Sequence, residues 1–218
     1  MEGNGDATAV SSLVGRLLTE AGAWDYLFLD PHPFNARSLG KLLKDDCGNW
    51  IRWLGAAAKH RDIGAVLLVL DGDTKRIQGE AFCAANAAKK LAREAKHARG
   101  GELFSVAVVF ACQEFESWLI AGVESLAGKP LKDGRPGVKA GIAPPDKNLE
   151  AAPRDAKRWL RKATVSGYSP ARDQAALAKI VDLDLIRNRP MRSFRRLENA
   201  LSQIVSAIRD ESPRTSPS

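Results

Sequence analysis

The chain has 218 residues, 44% hydrophobic and 27% charged, with a net charge of +7. That composition suits one globular domain, or one with an appendage, and excludes disordered and fibrous chains. No apolar run nears the roughly 20 residues of a membrane-spanning helix, and the polar start Met1 to Asp6 does not read as a secretory leader. An odd, dispersed set of cysteines (Cys47, Cys83, Cys112) reads as reduced core thiols of a cytoplasmic protein, not as a disulfide framework. Three histidines (His32, His60, His97) make a zinc site of Cys/His type a poor expectation.

In chain order, Val10, Leu13, Val14, Leu17, Leu18 and Ala21 repeat with a helical period, so Ala7 to Gly22 is expected as a helix stopped by Gly22. Trp24 to Leu29 is short, aromatic and apolar and reads as a strand ended by Pro31 and Pro33. Helical stretches follow near Ser38 to Leu43 and Asn49 to His60. Ala65 to Leu70 (AVLLVL) has no polar residue, as expected of a strand buried on both faces of a parallel sheet. An alanine-rich helix is predicted over Ile77 to Ala98, a second buried strand over Leu103 to Ala111, and a helix over Glu114 to Ala121. Strands alternating with helices predict an α/β fold with a parallel sheet flanked by helices, residues 1–128.

Beyond Gly128 the pattern changes. Lys129 to Lys147 is rich in proline and glycine and reads as an exposed loop. Pro153 opens a basic helix through Ala163, Ser169-Pro170 reads as a cap and first helical position, and Ser193 as the cap of a last helix, Phe194 to Arg209. Residues 129–210 thus form a helical C-terminal part, and 211–218, rich in Ser and Pro, are expected to be disordered. Charge follows the same division. The first 128 residues carry 14 basic and 16 acidic side chains, net −2, and the remainder 19 and 10, net +9. A basic part beside a mildly acidic one invites an anionic partner, with nucleic acid the leading one. The candidates are Arg154, Lys157, Arg158, Arg161 and Lys162 in one helix, then Arg187, Arg189, Arg192, Arg195 and Arg196. The plain alternative is a solvated basic face.

Asp71-Gly72-Asp73 ends the first buried strand, at the sheet edge where α/β proteins bind ligands. Residues two apart in an extended segment point the same way, and two close carboxylates call for a cation between them. Hard oxygen ligands select Mg²⁺ or Mn²⁺. The alternative is a polar turn. Glu2-Gly3 before the first helix, and Glu114 and Glu116 after the second buried strand, fall at the same edge. The latter two also have the capping role that acids play in a first helical turn. In order, these acids describe a carboxylate cluster fit for one or two divalent ions.

This order resembles the Toprim fold of topoisomerases, bacterial primases and overcoming-lysogenization-defect nucleases. It resembles more closely a Toprim-like family known as domain of unknown function 4276. The resemblance rests on EGNGDATAVSSLVGRLL (Glu2 to Leu18), VLLVLDGD (Val66 to Asp73), CQEFESWLIAG (Cys112 to Gly122), and a stretch from Tyr168 through DQAALAKIVDLDL to SFRRLENAL (Leu201). It implies a Toprim-like, Rossmann-like sheet and a metal site of Glu2, Asp71 and Asp73, with Glu114 or Glu116 as further acids. It also implies a place beside an ATPase in bacterial defence against phage or plasmid DNA. In a Toprim domain a strand precedes the Glu-Gly turn, whereas here only Met1 precedes Glu2. The expectation is that the chain as written lacks the first strand of its sheet. Either translation starts upstream, or another strand or a partner chain fills the gap.

A carboxylate cluster holding Mg²⁺ suits phosphodiester hydrolysis, with Asp71 and Asp73 on the metal and Glu2 on a second ion or acting as general acid/base. Lys75 and Lys129 are candidates to stabilise developing charge, though both read equally as surface lysines. No P-loop, G-x-G-x-x-G or G-x-S-x-G occurs, which sets aside ATP hydrolysis and esterase chemistry. The leading expectation is a metal-dependent nuclease. A non-catalytic metal-binding subunit of a defence ATPase is the rival, and a haloacid-dehalogenase-like phosphatase is the lesser alternative.

Overall fold

The computed structural model describes residues 4–34, 36, 38–77, 79–151 and 155–217. Helix α1 (Asn4–Glu20) is followed by the short α2 (Leu39–Leu43) and α3 (Gly48–Ala57), then strand β1 (Ala65–Asp71). A hairpin, β2 (Arg76–Ile77) and β3 (Glu80–Ala81), leads to α4 (Ala84–Glu94), β4 (Ser105–Ala111) and α5 (Glu116–Ala121). The remainder is α6 (Ala156–Ala163), a π-helical turn (Pro170–Gln174), α7 (Ala175–Ala178), α8 (Leu183–Arg187), α9 (Arg192–Arg209) and β5 (Thr215–Ser216). The protein is thus a mixed α/β fold around a parallel three-stranded sheet of order β1-β4-β5.

The two apolar runs become β1 and β4, paired in register from Ala65 opposite Ser105 to Asp71 opposite Ala111. Every residue of β4 is buried, because helices cover both faces. One face packs Val69, Ala107 and Val109 against Leu13 of α1, Trp118 of α5 and Leu201 of α9. The other packs Leu68, Val108 and Phe110 against Trp50 of α3 and Leu91 of α4. The first of these cores runs without a break into Leu131, Leu160 and Phe194, so the C-terminal helices form one wall of the sheet's own core. Along its other edge β1 has no partner among the described residues. Met1 to Gly3, where the expected Glu-Gly turn falls, lie outside them.

Four expectations are corrected. Trp24 to Tyr26 form a turn and Leu27 to Leu29 an irregular stretch, not a strand. Leu27 and Leu29 pack inward while Trp24 and Phe28 stay exposed, and the Trp24 indole N–H donates to Thr19 Oγ1 (2.7 Å). The in-out alternation comes from a loop lying over α1. The helix expected from Ile77 begins only at Ala84, because Gly79, at φ +88°, turns the β2–β3 hairpin first. The tail is ordered: Thr215 and Ser216 add a parallel strand to β4, anchored by Val106 N–H donating to Arg214 O (2.8 Å). A short strand beside a fully buried one satisfies backbone groups that composition alone leaves out of account. Cys83 is exposed and not a core thiol, and all three cysteines are free. No helix of the described residues is long and apolar enough to cross a membrane.

Gly122, at the end of α5, is where the α/β core meets the helices that follow. A Cβ there would collide with Val181 Cγ2 and lie 3.1 Å from Asp182 O. Gly122→Ala should therefore cost about 1–3 kcal/mol through overpacking. Gly55→Ala, in α3 with open space around it, should gain about 0.5–1 kcal/mol from helix propensity. Urea unfolding of the two variants checks both signs.

Candidate functional site

The parallel pairing of β1 and β4 brings their C-terminal ends to one edge, and the acids gather there. Asp71 is the last residue of β1. The next residue, Gly72, donates its N–H to both Ala111 O and Gln113 O (2.9 Å each), and a Cβ at Gly72 would sit 2.9 Å from Ala111 O. The close approach explains the glycine between the two aspartates. Gln113 has φ +58°, a left-handed conformation uncommon for a residue with a side chain. It turns the chain sharply after β4 so that Glu114 and Glu116 face Asp71. Its amide donates to Ala151 O (3.1 Å) and Glu150 O (3.3 Å), pinning the turn.

At the centre stands the ammonium of Lys157, from the first turn of α6. Its Nζ is 2.7 Å from Glu114 Oε1, 3.4 Å from Asp71 Oδ2 and 3.6 Å from Glu116 Oε2. Each acid has a further anchor. Asp71 Oδ1 accepts from Phe115 N–H (2.8 Å), and Glu114 Oε2 from Ala156 N–H at the start of α6 (2.8 Å). Glu116 Oε1 accepts from the Tyr168 hydroxyl (2.9 Å) and the Gln174 amide (3.3 Å). Glu116 is wholly buried, and its Oε2 has no hydrogen-bond donor. Burial pushes the Glu116 carboxyl above its ordinary range, with Lys157 the main opposing influence. For Lys157, burial favours the neutral amine. The surrounding carboxylates, Glu116 foremost, more than offset it and hold the ammonium well above the ordinary lysine range.

Asp73 is exposed and makes no hydrogen bond or ion pair with any described residue, so the structure brings Asp71, Glu114 and Glu116 together and leaves Asp73 beside them. Glu2 and Arg154 lie outside the described residues. Among the described residues no three Asp, Glu, His or Cys side chains are close enough to hold a metal as they stand, since Lys157 lies between the acids. Their chemistry nevertheless fits a hard divalent ion. All donors are carboxylate oxygens, one of them buried without a donor, and three acids outnumber one ammonium. Lys157 belongs to this cluster and not to the outer face of α6. Neither Lys75 nor Lys129 does. No sequence signal marks Lys157 for that role, because it depends on how α6 docks.

The flanking cations divide in two. Arg158, Arg161 and Lys162 of α6 and Arg192, Arg195 and Arg196 of α9 are exposed. Both helices start at the acid edge: α6 through Ala156 on Glu114, and α9 through Ser193, whose Oγ accepts from Trp118 Nε1 of α5 (2.8 Å). Ser193 lies inside the first turn of α9 and does not cap it. Arg187 and Arg189 are engaged internally. Arg187 pairs with Glu20, with Asp184 (2.7 Å) and with Glu198 (2.7 Å). Arg189 donates to Ala121 O (2.8 Å) and pairs with Glu124 (2.7 Å).

The family model described as domain of unknown function DUF4276 matches residues 1–202. The chain belongs to the DUF4276 family. No curated protein and no solved structure matches it. The span shared with DUF4276 holds Asp71, Glu114, Glu116 and Lys157 and stops within α9, before β5.

Removing the hub of this DUF4276 site should be costly. Lys157→Met leaves three carboxylates without their ammonium. Because Lys157 is one-third exposed, the loss should fall at the low end of the ~3–5 kcal/mol seen for broken buried pairs. Without Lys157 the folded-state Glu116 value rises further above the unfolded value of about 4.3. A group raised in the folded state contributes fully below its unfolded value and loses that contribution as pH climbs through the folded one. The variant's deficit should therefore be larger at pH 8 than at pH 5. Denaturant melts at the two pH values check the sign.

Proposed function

We propose that this protein is a Toprim-like, divalent-metal-dependent phosphodiester hydrolase acting on nucleic acid, with DNA the first expected substrate and a defence ATPase as its partner. The observation that carries the reading is the convergence of Asp71, Glu114 and Glu116 at the C-terminal edge of β1 and β4, where α6 and α9, both carrying exposed cations, begin. An acid patch alone repels a phosphate backbone. An acid patch rimmed by arginines suits a polyanion held by the rim while a cation sits among the acids.

Asp71 and Glu114 would hold Mg²⁺ or Mn²⁺, with Asp73 on the exposed turn beside them. When bound, the ion supplies polarisation of a phosphoryl oxygen and a hydroxide nucleophile near neutral pH. The residues of the chain do the rest. Lys157, drawn aside from the acids, donates to a phosphate oxygen. Glu116, buried beside Lys157, positions its ammonium. Tyr168 fixes Glu116, and Phe115 N–H fixes Asp71. Arg158, Arg161 and Lys162 contact backbone phosphates.

The rival reading, a non-catalytic subunit that binds an ATPase, draws on one observation. Lys157 already fills the acid cluster, so the cluster can serve as a latch fastening α6 to the sheet.

Purified protein with Mn²⁺ should nick supercoiled plasmid, and Asp71→Asn should lower the rate by about 100-fold or more, as expected when a metal ligand is lost. Asn keeps an oxygen for Phe115 N–H, so the variant should stay folded. Absence of cleavage of plasmid DNA and of structured RNA, with Mn²⁺ affinity identical in wild type and variant, would favour the latch.

A further inference from the structure

A second basic surface lies on the half of the chain whose overall charge is negative. Between Ala84 and Ala98 there are four cations (Lys89, Lys90, Arg93, Lys96) and one acid, Glu94. Helix α4 buries Ala87, Ala88, Leu91 and Ala92 against the sheet. The cations are therefore left on the outward side, at positions one helical turn apart. They line one wall of a groove of about 500 Å³, whose other wall is made by Thr215 and Pro217 of the C-terminal segment. That wall exists because β5 docks on β4. The groove is thus a product of the ordered tail.

The charges of this groove are only partly answered from within. Arg93 pairs with Glu94 (3.0 Å), and Lys90 lies 3.8 Å from the exposed Asp46. Lys89 and Lys96 are exposed and make no ion pair with any described residue. Lys89 lies in α4 and Lys96 in the 3-10 turn that continues it (Ala95–Ala98), with Arg93 between. Because β1 and β4 run parallel, α4 must carry the chain back along the sheet. Its first turn, with Asn86, lies toward the edge where Asp71 ends β1. Lys96 and Thr215 lie toward the other edge, where Thr215 sits opposite Val106 near the start of β4. The cations therefore line the stretch of this path from Lys89 to Lys96.

We infer that this groove binds the phosphate backbone of a nucleic acid, as a surface separate from the arginine rim of α6 and α9. Lysines in line on flexible stems are point charges that follow successive phosphates without reading bases. A line of cations continued from a helix into the turn after it suits a polymer passing along it. The inference takes its polymer from the nucleic-acid reading above, but it needs neither the acids nor a metal.

The test is fluorescence anisotropy with a labelled 20-base-pair DNA duplex and an RNA duplex of the same sequence, in EDTA, across a salt series. Binding in EDTA keeps the result independent of hydrolysis, so failure here and failure of the hydrolase reading are told apart. The variants are Lys89→Gln/Lys96→Gln and Lys89→Gln/Arg93→Gln/Lys96→Gln. The first leaves the Arg93–Glu94 pair intact, and circular dichroism melts verify that both are folded. Two to three lost phosphate contacts should lower duplex affinity about tenfold or more and flatten the slope of log K against log salt by about 2–3. Wild-type affinity and slope in both variants would overturn the inference, as would a wild-type protein that binds neither duplex. Displacement of the duplex by polyglutamate at equal charge would also overturn it, assigning the groove to an acidic protein partner.

Discussion

The ammonium of Lys157 is the point through which the chain's distant parts meet. It touches the end of β1, the turn after β4 and, through Glu116, the segment holding Tyr168 and Gln174. A unit-charge pair about 4 Å apart gains on the order of 4 kcal/mol at the effective dielectric of a partly buried site. Removing each ion from water costs several kcal/mol. With three acids to one base the balance does not close in favour of plain stability. Glu116 is raised by burial even with Lys157 opposing, and Asp73 adds a further exposed acid. Three acids around one ammonium leave excess negative charge at a sheet edge.

The rest of the molecule can be read as support for that edge. The all-buried β4 and its pairing with β1 fix Asp71. The left-handed Gln113 and the close approach at Gly72 aim the acids. Around them the arginines of the C-terminal part divide by task. Arg187 and Arg189 are tied to Glu20, Glu124, Glu198 and main-chain oxygen and bind helices to one another. Those of α6 and of the start of α9 are exposed to solvent. A net charge of +9 after residue 128 therefore overstates the cationic surface available to a partner, and only the structure shows which arginines are already engaged.

Much of the fold was legible because burial writes itself into composition. AVLLVL and the run ending at Ala111 have no other home than a two-sided sheet. The acids at their ends were legible for the same reason, since parallel strands share an edge. Lys157 was not, because nothing in a basic helix tells which lysine turns inward. The strand expected at Trp24 to Leu29 failed because alternation of apolar residues also describes a loop draped over a helix. The tail failed because Ser, Pro and Thr give no apolar signal, and its strand is held by backbone hydrogen bonds to β4, which any sequence can supply.

The central claim is that the acid edge takes a divalent ion in exchange for the Lys157 ammonium. Its most direct measurement is a crystal structure of the protein grown with Mn²⁺, with anomalous scattering recorded at the manganese edge. The account predicts an anomalous peak within about 2.0–2.3 Å of oxygens from Asp71 and Glu114, as hard divalent ions require, with Lys157 Nζ moved off both. A map without a peak at that edge at millimolar Mn²⁺, and with Lys157 still bound to Glu114, would contradict it.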